Sequence, residues 1–416
     1  MHAPLVTSRV PAVLFGSHIA AYGAIRALGP GLHAPLFVVD DRPGLAARSR
    51  FVRAVLRLDP EDTACIPRLL DWVRRRVGKE AVFLVAGSDA FLDVLSAARD
   101  ELPTGIHCTF PGRDLVAKVR CKHLTYEIAQ AAGIGTPRTV FVQSHGELVS
   151  ALSHWDAENY PVLLKPEASR RFLETYRLKG VICRSEDEAL RAYETYGGFF
   201  GELLLQELIP GGDENLLNVL AAMNEKGEAI GVFVNRKVRT AGPLLSCTMM
   251  TSEWSEPVAR EAITLLRAIG YYGYANPEFK LDPRDGRLKL MEINGRLTLS
   301  NSHALRCGID LVGRTYLDAI GQGKTEWTEK VPSYPDGVLW WDPLGDIVGT
   351  LAHGSRGNPS ALRMLWRSRR TGRIIEPFMW SDPAPASTYA LRLFGAHLRA
   401  SVSRSHRPLR TSRSSC

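Results

Sequence analysis

The sequence predicts an α/β protein of more than one domain, and three observations carry that prediction. The chain has 416 residues, long for a single compact core. Its first quarter alternates short apolar strands with helical segments, the pattern of a small parallel sheet covered by helices. Beyond Arg113 the pattern changes to mixed helices and strands that end in an acidic hairpin, followed by a stretch rich in Trp and Pro. The apolar fraction of 45% and charged fraction of 23% are ordinary for a globular enzyme.

In the first unit, residues 10–15, 35–39 and 81–85 read as strands, and residues 19–28, 69–77 and 91–98 as helices. The loop Gly16-Ser17-His18 follows the first strand. It lacks the G-x-G-x-x-G spacing that lets a backbone approach a pyrophosphate, so it reads as a strand-to-helix turn. The weaker alternative is that it helps hold an anionic substrate at the helix N-terminus.

In the second unit, residues 115–132 read as one helix, ended by Gly133 and Pro137. Strands follow at 139–142, 161–164, 181–184 and 203–208. Between them lie helices at 144–153 and 185–196, the latter with Ser185 and Glu188 at capping-box spacing. Further on come strands at 216–223 and 229–235 and a helix at 256–269. The expected domains are 1–114, an N-terminal parallel-sheet domain; 115–325, the body; 326–395, a C-terminal cap containing Trp327, Trp340, Trp341, Trp366 and Trp380; and 396–416, a tail.

Several classes are excluded. No run of about 18 apolar residues is present, so no membrane span is expected. The seven Cys are scattered, odd in number and never spaced C-x-x-C, which argues against a disulfide framework or structural zinc and for the reducing cytoplasm. Arg399, Arg404, Arg407, Arg410 and Arg413 lie in the tail. The tail reads as solvated and disordered rather than as a nucleic-acid or membrane contact.

The chemistry concentrates in residues 276–296. Asp282-Pro283-Arg284-Asp285-Gly286 is a turn, and its flanks are strand-like. An antiparallel hairpin centred on Asp285 makes Glu278 and Glu292 cross-strand neighbours. Glu292 and Asn294, two apart, share a face, and Met291 and Ile293 take the other. Two carboxylates and an amide oxygen so placed suit Mg²⁺ bound together with phosphates. Arg296, on the same face, suits charge building up on a transferring group.

The run Glu278…Leu290-Met291-Glu292-Ile293-Asn294-Gly295-Arg296 resembles the metal-binding signature of the ATP-grasp superfamily, with Gly295 in place of the usual Pro. The resemblance extends from about residue 10 to 323. It implies an ATP-grasp body behind a smaller N-terminal domain, with ATP and Mg²⁺ as cofactors. Lys122 (or Lys118) resembles the family's first lysine. Lys165, in Leu163-Leu164-Lys165-Pro166, resembles the second, which reaches the α/β-phosphates. Lys179 falls in the loop that closes over the phosphates. Gln206-Glu207-Leu208-Ile209 resembles the adenine hinge, and Asp213 or Glu214 the ribose ligand. Arg236, Lys237 and Arg239, read as a basic run after a strand, take the γ-phosphate or acyl-phosphate role.

The pattern looks like the carboxylate–amine ligase branch that includes D-aspartate ligases. It implies an acyl-phosphate intermediate, release of ADP and phosphate, and formation of an amide. The expected partners are a small carboxylic acid and an amine, both amino-acid-like, with no nucleic acid; a homodimer is compatible. Bicarbonate-dependent chemistry on the same fold and a non-catalytic ATP-binding module remain as alternatives.

Overall fold

The structure, a computed structural model, describes residues 10–77, 81–167, 169–176, 178–197, 203–242, 245–323, 334–353 and 359–405. The N-terminal strands are β1 (Ala12–Phe15), β2 (Leu36–Asp40), β3 (Val52–Arg57), β4 (Val82–Ala86) and β5 (Ile106–Cys108). They form one parallel sheet in the order β3-β2-β1-β4-β5. Helices α1 (Ile19–Arg26), α2 (Cys65–Trp72) and α3 (Asp89–Ala97) cover it. β1 and β4 are apolar throughout because both of their faces are buried. β3 was not expected: it is an edge strand alternating half-buried with exposed residues, so it shows no apolar run. Strand order reverses between β1 and β4, which opens a crevice at their C-terminal ends.

The expected single helix at 115–132 is two, α4 (Arg113–Arg120) and α5 (Lys122–Ala131), broken at the extended Cys121 (φ −79°, ψ 109°). The break is capped from both sides. Thr125 Oγ1 donates to the Lys118 carbonyl at 2.8 Å, and the Glu167 carboxylate accepts the backbone N–H of Lys122.

A four-stranded antiparallel sheet follows, of β6 (Thr139–Val142), β7 (Val162–Pro166), β8 (Val181–Cys183) and β9 (Leu203–Glu207), in the order β6-β9-β7-β8. It packs with α6 (His145–Ser153), α7 (Ser169–Tyr176) and α8 (Glu186–Tyr196) around one small core. The caps expected at 144 and 185 form: Ser144 and Ser185 each accept the N–H three residues on, both at 3.2 Å.

The large sheet has seven strands: β10 (Leu216–Met223), β11 (Ala229–Thr240), β12 (Cys247–Ser252), β13 (Gly273–Leu281), β14 (Leu288–Asn294), β15 (Leu339–Trp341) and β16 (Arg373–Ile375). Their order is β14-β13-β10-β11-β12-β15-β16. Helix α9 (Glu256–Ile269) packs on one face, with α5. On the other face lie α10 (Asn301–Arg306), α11 (Leu311–Ala319) and the N-terminal sheet's α1. Gly273 marks how closely these parts meet: a Cβ there would stand 1.9 Å from the Thr109 carbonyl oxygen, and its φ is +93°.

Residues 326–395 were expected to form a C-terminal cap of mixed structure packed on the main body. Instead β15 pairs with β12 and β16 with β15, so the large sheet continues through this segment. Helices α12 (Pro343–His353), α13 (Pro359–Thr371) and α14 (Ala384–Ser405) complete it. The segment then returns to the N-terminal domain, where Glu376 pairs with Arg26 at 2.6 Å and Asp382 accepts from Tyr22 at 3.1 Å. A tail disordered from 396 is also corrected, because α14 runs to Ser405. Ala, Leu and Arg, strong helix formers, dominate its first half. Trp327 and residues 406–416, with Arg407, Arg410 and Arg413, lie outside the described residues. Among the described residues no helix is long and apolar enough to cross a membrane.

Candidate active site

One face of the large sheet builds the site. Side chains alternate along a strand, so Leu220 and Ala222 on β10, Phe233 on β11 and Tyr274 on β13 face the N-terminal domain and α10, in one apolar cluster. Two residues further along the same face the side chains turn polar. Asn235, Asn218, Glu278 and Glu292 stand directly opposite one another, strand by strand, across β11, β10, β13 and β14.

The hairpin register expected from the sequence is the one observed: Glu278 pairs with Glu292 and Asn276 with Asn294. A bulge lies beside Glu278. Asn294 Nδ2 donates to Glu278 Oε1 at 3.3 Å. Lys237 Nζ, two residues from Asn235, is 2.6 Å from Glu278 Oε2. Burial alone would lower the Lys237 pKa, but Glu278 outweighs it and holds the amine protonated, above the ordinary range.

Four lysines act on Glu292. Burial alone would raise its pKa, yet Lys179, Lys237, Lys122 and Lys165 hold it well below the usual carboxylate range, at about 2. These residues come from four separate places: the loop after α7, β11, the start of α5, and β7. Lys122 Nζ donates to the Glu167 carbonyl at 3.0 Å, two residues beyond Lys165. Lys118 is exposed, so Lys122 is the first lysine that the fold brings in. Burial, and next Lys122, pull the pKa of Lys165 down to about 7. With Lys165 part-charged near neutral pH, three to four cations face two carboxylates, so the cluster is a net anion site.

The rest of the expected set divides. The hinge Gln206-Glu207-Leu208-Ile209 leaves the small sheet at the end of β9. Gln206 is buried, with Nε2 on Tyr126 at 3.1 Å and Thr139 at 2.9 Å, while its Oε1 has no partner. The Glu207 carboxylate is committed to the Arg138 N–H and to Arg284, both at 2.9 Å. The carbonyl of Ile209 accepts from Lys280 at 2.7 Å. No described hydrogen bond engages the backbone of Leu208. Asp213 is occupied by the N–H and hydroxyl of Thr240, both at 2.9 Å, whereas Glu214 has an exposed carboxylate.

The basic run Arg236-Lys237-Arg239 needs correction. It lies within β11, not after it, and only Lys237 reaches the carboxylate pair. Arg236 pairs with Glu253, and Arg239 with Asp346 at 3.1 Å. Strand alternation and a bulge around Val238 send the three side chains to different partners.

Arg296 turns toward the N-terminal domain, pairing with Asp89 at 2.9 Å at the start of α3. It lies near His18, whose Nδ1 accepts from the Ala20 N–H at 3.2 Å and whose Nε2 meets the Gly87 carbonyl at 2.5 Å. Burial, then Arg296, keep His18 neutral by lowering its pKa. His18 thus ties together the loops after β1 and β4, and the Gly16-Ser17-His18 turn has a structural role.

Two residues escaped the sequence reading. Asn218 Nδ2 donates to Asn235 Oδ1 at 2.8 Å, leaving Asn218 Oδ1 and Asn235 Nδ2 buried without partners. The available signal was an asparagine inside each of two apolar strand runs, Leu216-Leu217-Asn218-Val219 and Val232-Phe233-Val234-Asn235.

Residues 241–324, which contain the hairpin, match the family described as the carbamoyl-phosphate synthase L chain, ATP binding domain. The chain has the ATP-grasp fold. The D-aspartate ligase of Enterococcus faecium is 24% identical to the chain over 325 residues, 72% of this chain and 74% of that one. Among solved structures, the L-amino acid ligase from Bacillus licheniformis has a TM-score of 0.58 at 16% identity, covering 78% of each chain. The biotin carboxylase domain of the 2-oxoglutarate carboxylase from Hydrogenobacter thermophilus, solved with MgADP and bicarbonate, has a TM-score of 0.59 at 17% identity, covering 76% of this chain and 71% of that one. These structural likenesses bear on the ATP-grasp fold alone.

Proposed function

We propose that the protein is an ATP-dependent carboxylate–amine ligase. It activates a carboxylate as an acyl-phosphate and joins it to an amine, with release of ADP and phosphate. The observation that carries the reading is the lysine-ringed pair Glu278–Glu292 beneath the hinge, in a chain related to a D-aspartate ligase over most of its length.

In this reading the base lies against Leu208, whose backbone groups are free to pair with it, and Gln206 Oε1 is an acceptor for an exocyclic amine. Glu214, rather than the committed Asp213, takes the ribose hydroxyls. Lys122, Lys165 and Lys179 lie along the phosphates, and Lys237 by the γ-phosphoryl group. Glu278, Glu292 and Asn294 would hold Mg²⁺. The surplus of lysines would repel a bare cation, so these residues fit a metal that arrives with phosphates. When bound, the metal neutralises charge on the transferring group.

The carboxylate substrate sits between Lys237 and Arg296. There Arg296, held by Asp89, positions it and offsets oxyanion charge. Asn235 Nδ2, buried without a partner, is a donor for the acyl-phosphate. Closing the loop that bears Lys179 excludes water, which would otherwise hydrolyse that intermediate. Reducing cytosol fits this reading, and the six cysteines among the described residues are all free.

The test is turnover with Mg-ATP and pools of amino acids, one as acid and one as amine, with hydroxylamine as a general trap. ADP, phosphate and a hydroxamate or amide are the expected products. AMP with pyrophosphate would overturn the acyl-phosphate route. ADP release that needs bicarbonate and no amine would replace ligation with carboxylation.

A further inference from the structure

The net charge of +8 is concentrated at one end of the chain. From Pro359 to Cys416 there are eleven arginines, no lysine and only two carboxylates, Glu376 and Asp382. Both carboxylates are buried and turned inward: Glu376 pairs with Arg26, and Asp382 accepts from Tyr22 and from the N–H of Arg50 at 3.0 Å. Among the described residues, Arg363, Arg369, Arg370, Arg373 and Arg392 are exposed, and neither carboxylate of this stretch pairs with them.

Large apolar side chains are exposed along the same stretch of chain. On α13, Arg363, Trp366 and Arg370 recur at helical spacing and are exposed, while Ser368 points inward. Trp366 is 65% exposed. Next comes β16, the edge of the large sheet, with Arg373 and Ile375 exposed. The corner beyond it stacks Phe378 edge-on against Trp380 at 4.7 Å, and Trp380 is 89% exposed. On α14, Leu391 and Phe394, three apart, are also exposed. Scattered apolar residues need no explanation, but indole, phenyl and aliphatic groups interleaved with unneutralised guanidinium groups do.

We infer that this face docks the protein on a bilayer surface carrying anionic phospholipid. Arginines meet the headgroup phosphates, and Trp366, Trp380 and Phe394 seat at the boundary between headgroups and acyl chains. Contact is peripheral, since no described helix can cross a membrane. A second copy of the chain is a poorer occupant, because a two-fold interface would set arginines against arginines with no carboxylate between them. A nucleic acid would match the charge but would leave the exposed aliphatic side chains without use.

The experiment is co-sedimentation of the full chain with phosphatidylcholine vesicles, with and without phosphatidylglycerol. The protein pellets with the anionic vesicles only, and less as salt rises. R369Q/R370Q lowers the partition coefficient at least about tenfold, each arginine near such a surface being worth roughly fivefold. W366S/W380S lowers it as well and reduces quenching of the protein's fluorescence by brominated lipid. Both double variants alter exposed residues, and unchanged melting curves and ADP release confirm that they fold. Equal binding to neutral and anionic vesicles, or to neither, overturns the proposal. So does anionic binding that both double variants retain. Tight binding of an RNA oligomer that depends on the arginines but not on the tryptophans moves the face to nucleic acid. Dimerisation lost in W366S/W380S moves it to self-association.

Discussion

The two halves of one sheet face differ in everything but backbone. Along β10, β11 and β13, Leu220, Phe233 and Tyr274 lie in an apolar core against the N-terminal domain, and Asn218, Asn235 and Glu278 lie two to four residues away on the same side. Strand geometry places both sets alike, so only side-chain chemistry separates a stabilising surface from a binding one. The apolar half lowers the free energy of the folded state. The polar half gathers charges and two amides, Asn218 and Asn235, each with one buried atom left without a partner. Substitutions in the two halves should therefore separate activity from stability.

The largest effect is expected in the polar half. Glu292→Ala removes the carboxylate on which four lysines act, and with it, under the proposed function, one of the ligands for Mg²⁺. ADP release falls by at least about 10³-fold, the scale of losing a charge-stabilising group in a transition state. The melting temperature moves by no more than about 4 °C, because Lys237 keeps Glu278 as its partner and Lys165 can shed its proton. Steady-state kinetics alongside a thermal melt checks both. Near-normal turnover would mean that the hairpin carboxylates do not hold the metal.

Phe233→Ala is the opposite case. Phe233 is fully buried, its ring 5.1 Å from His303 and 4.8 Å from Tyr334. The variant loses about 3–5 kcal/mol of stability, from lost transfer energy and a residual cavity. Turnover per folded molecule stays close to the parent at temperatures where the variant is folded. Urea unfolding with activity measured on the same samples separates the two. A collapse of kcat without a shift in midpoint would show that the apolar half also positions the site.

Legibility followed the same division. The hairpin register could be read because a turn, a period of two and two carboxylates equidistant from Asp285 leave little freedom. The capped helices could be read because Ser185 and Glu188 make a local signal. Partners distant in sequence could not. Nothing local to Arg236 announces Glu253, nor anything near Arg239 its pair Asp346 on α12, so three neighbouring cations looked equivalent when one reaches the site. The short strands β15 and β16 were hidden because three residues of strand carry no period. Asn218 and Asn235 were passed over because their meaning depends on facing each other across two strands.

A smaller effect sharpens the account of the polar half. Burial and the neighbouring Lys122 leave the pKa of Lys165 at about 7 in the free protein. Phosphates placed beside it favour the charged amine and raise that value. Nucleotide binding therefore takes up a proton: little below about pH 6, where Lys165 is already charged, and up to one above about pH 8. Affinity for ADP falls as pH rises through 7, by at most about tenfold per pH unit. Calorimetric titration in buffers of different ionisation enthalpy measures the uptake directly, and Lys165→Gln removes it. Uptake that persists in that variant would assign the proton to another group.

The smallest effect concerns the small sheet, which supplies Lys165 from β7 and the hinge from β9. Its core is separate from that of the sheet face, so its stability reaches the site only by holding those two strands in register. Ser185 caps α8, and Glu188 returns the favour by accepting the N–H of Arg184 at 2.8 Å. Ser185→Ala leaves that first turn without its side-chain acceptor and costs about 1 kcal/mol. Because α8 packs on this core and not on the large sheet, the loss appears as faster amide exchange within β7, β8 and β9, while β10 and β13 keep their protection. Hydrogen exchange by mass spectrometry resolves the two sets. Equal loosening of both would mean that the two sheets unfold as one unit, and that the lysines and the carboxylates are held by a single cooperative structure rather than by two that meet across the nucleotide.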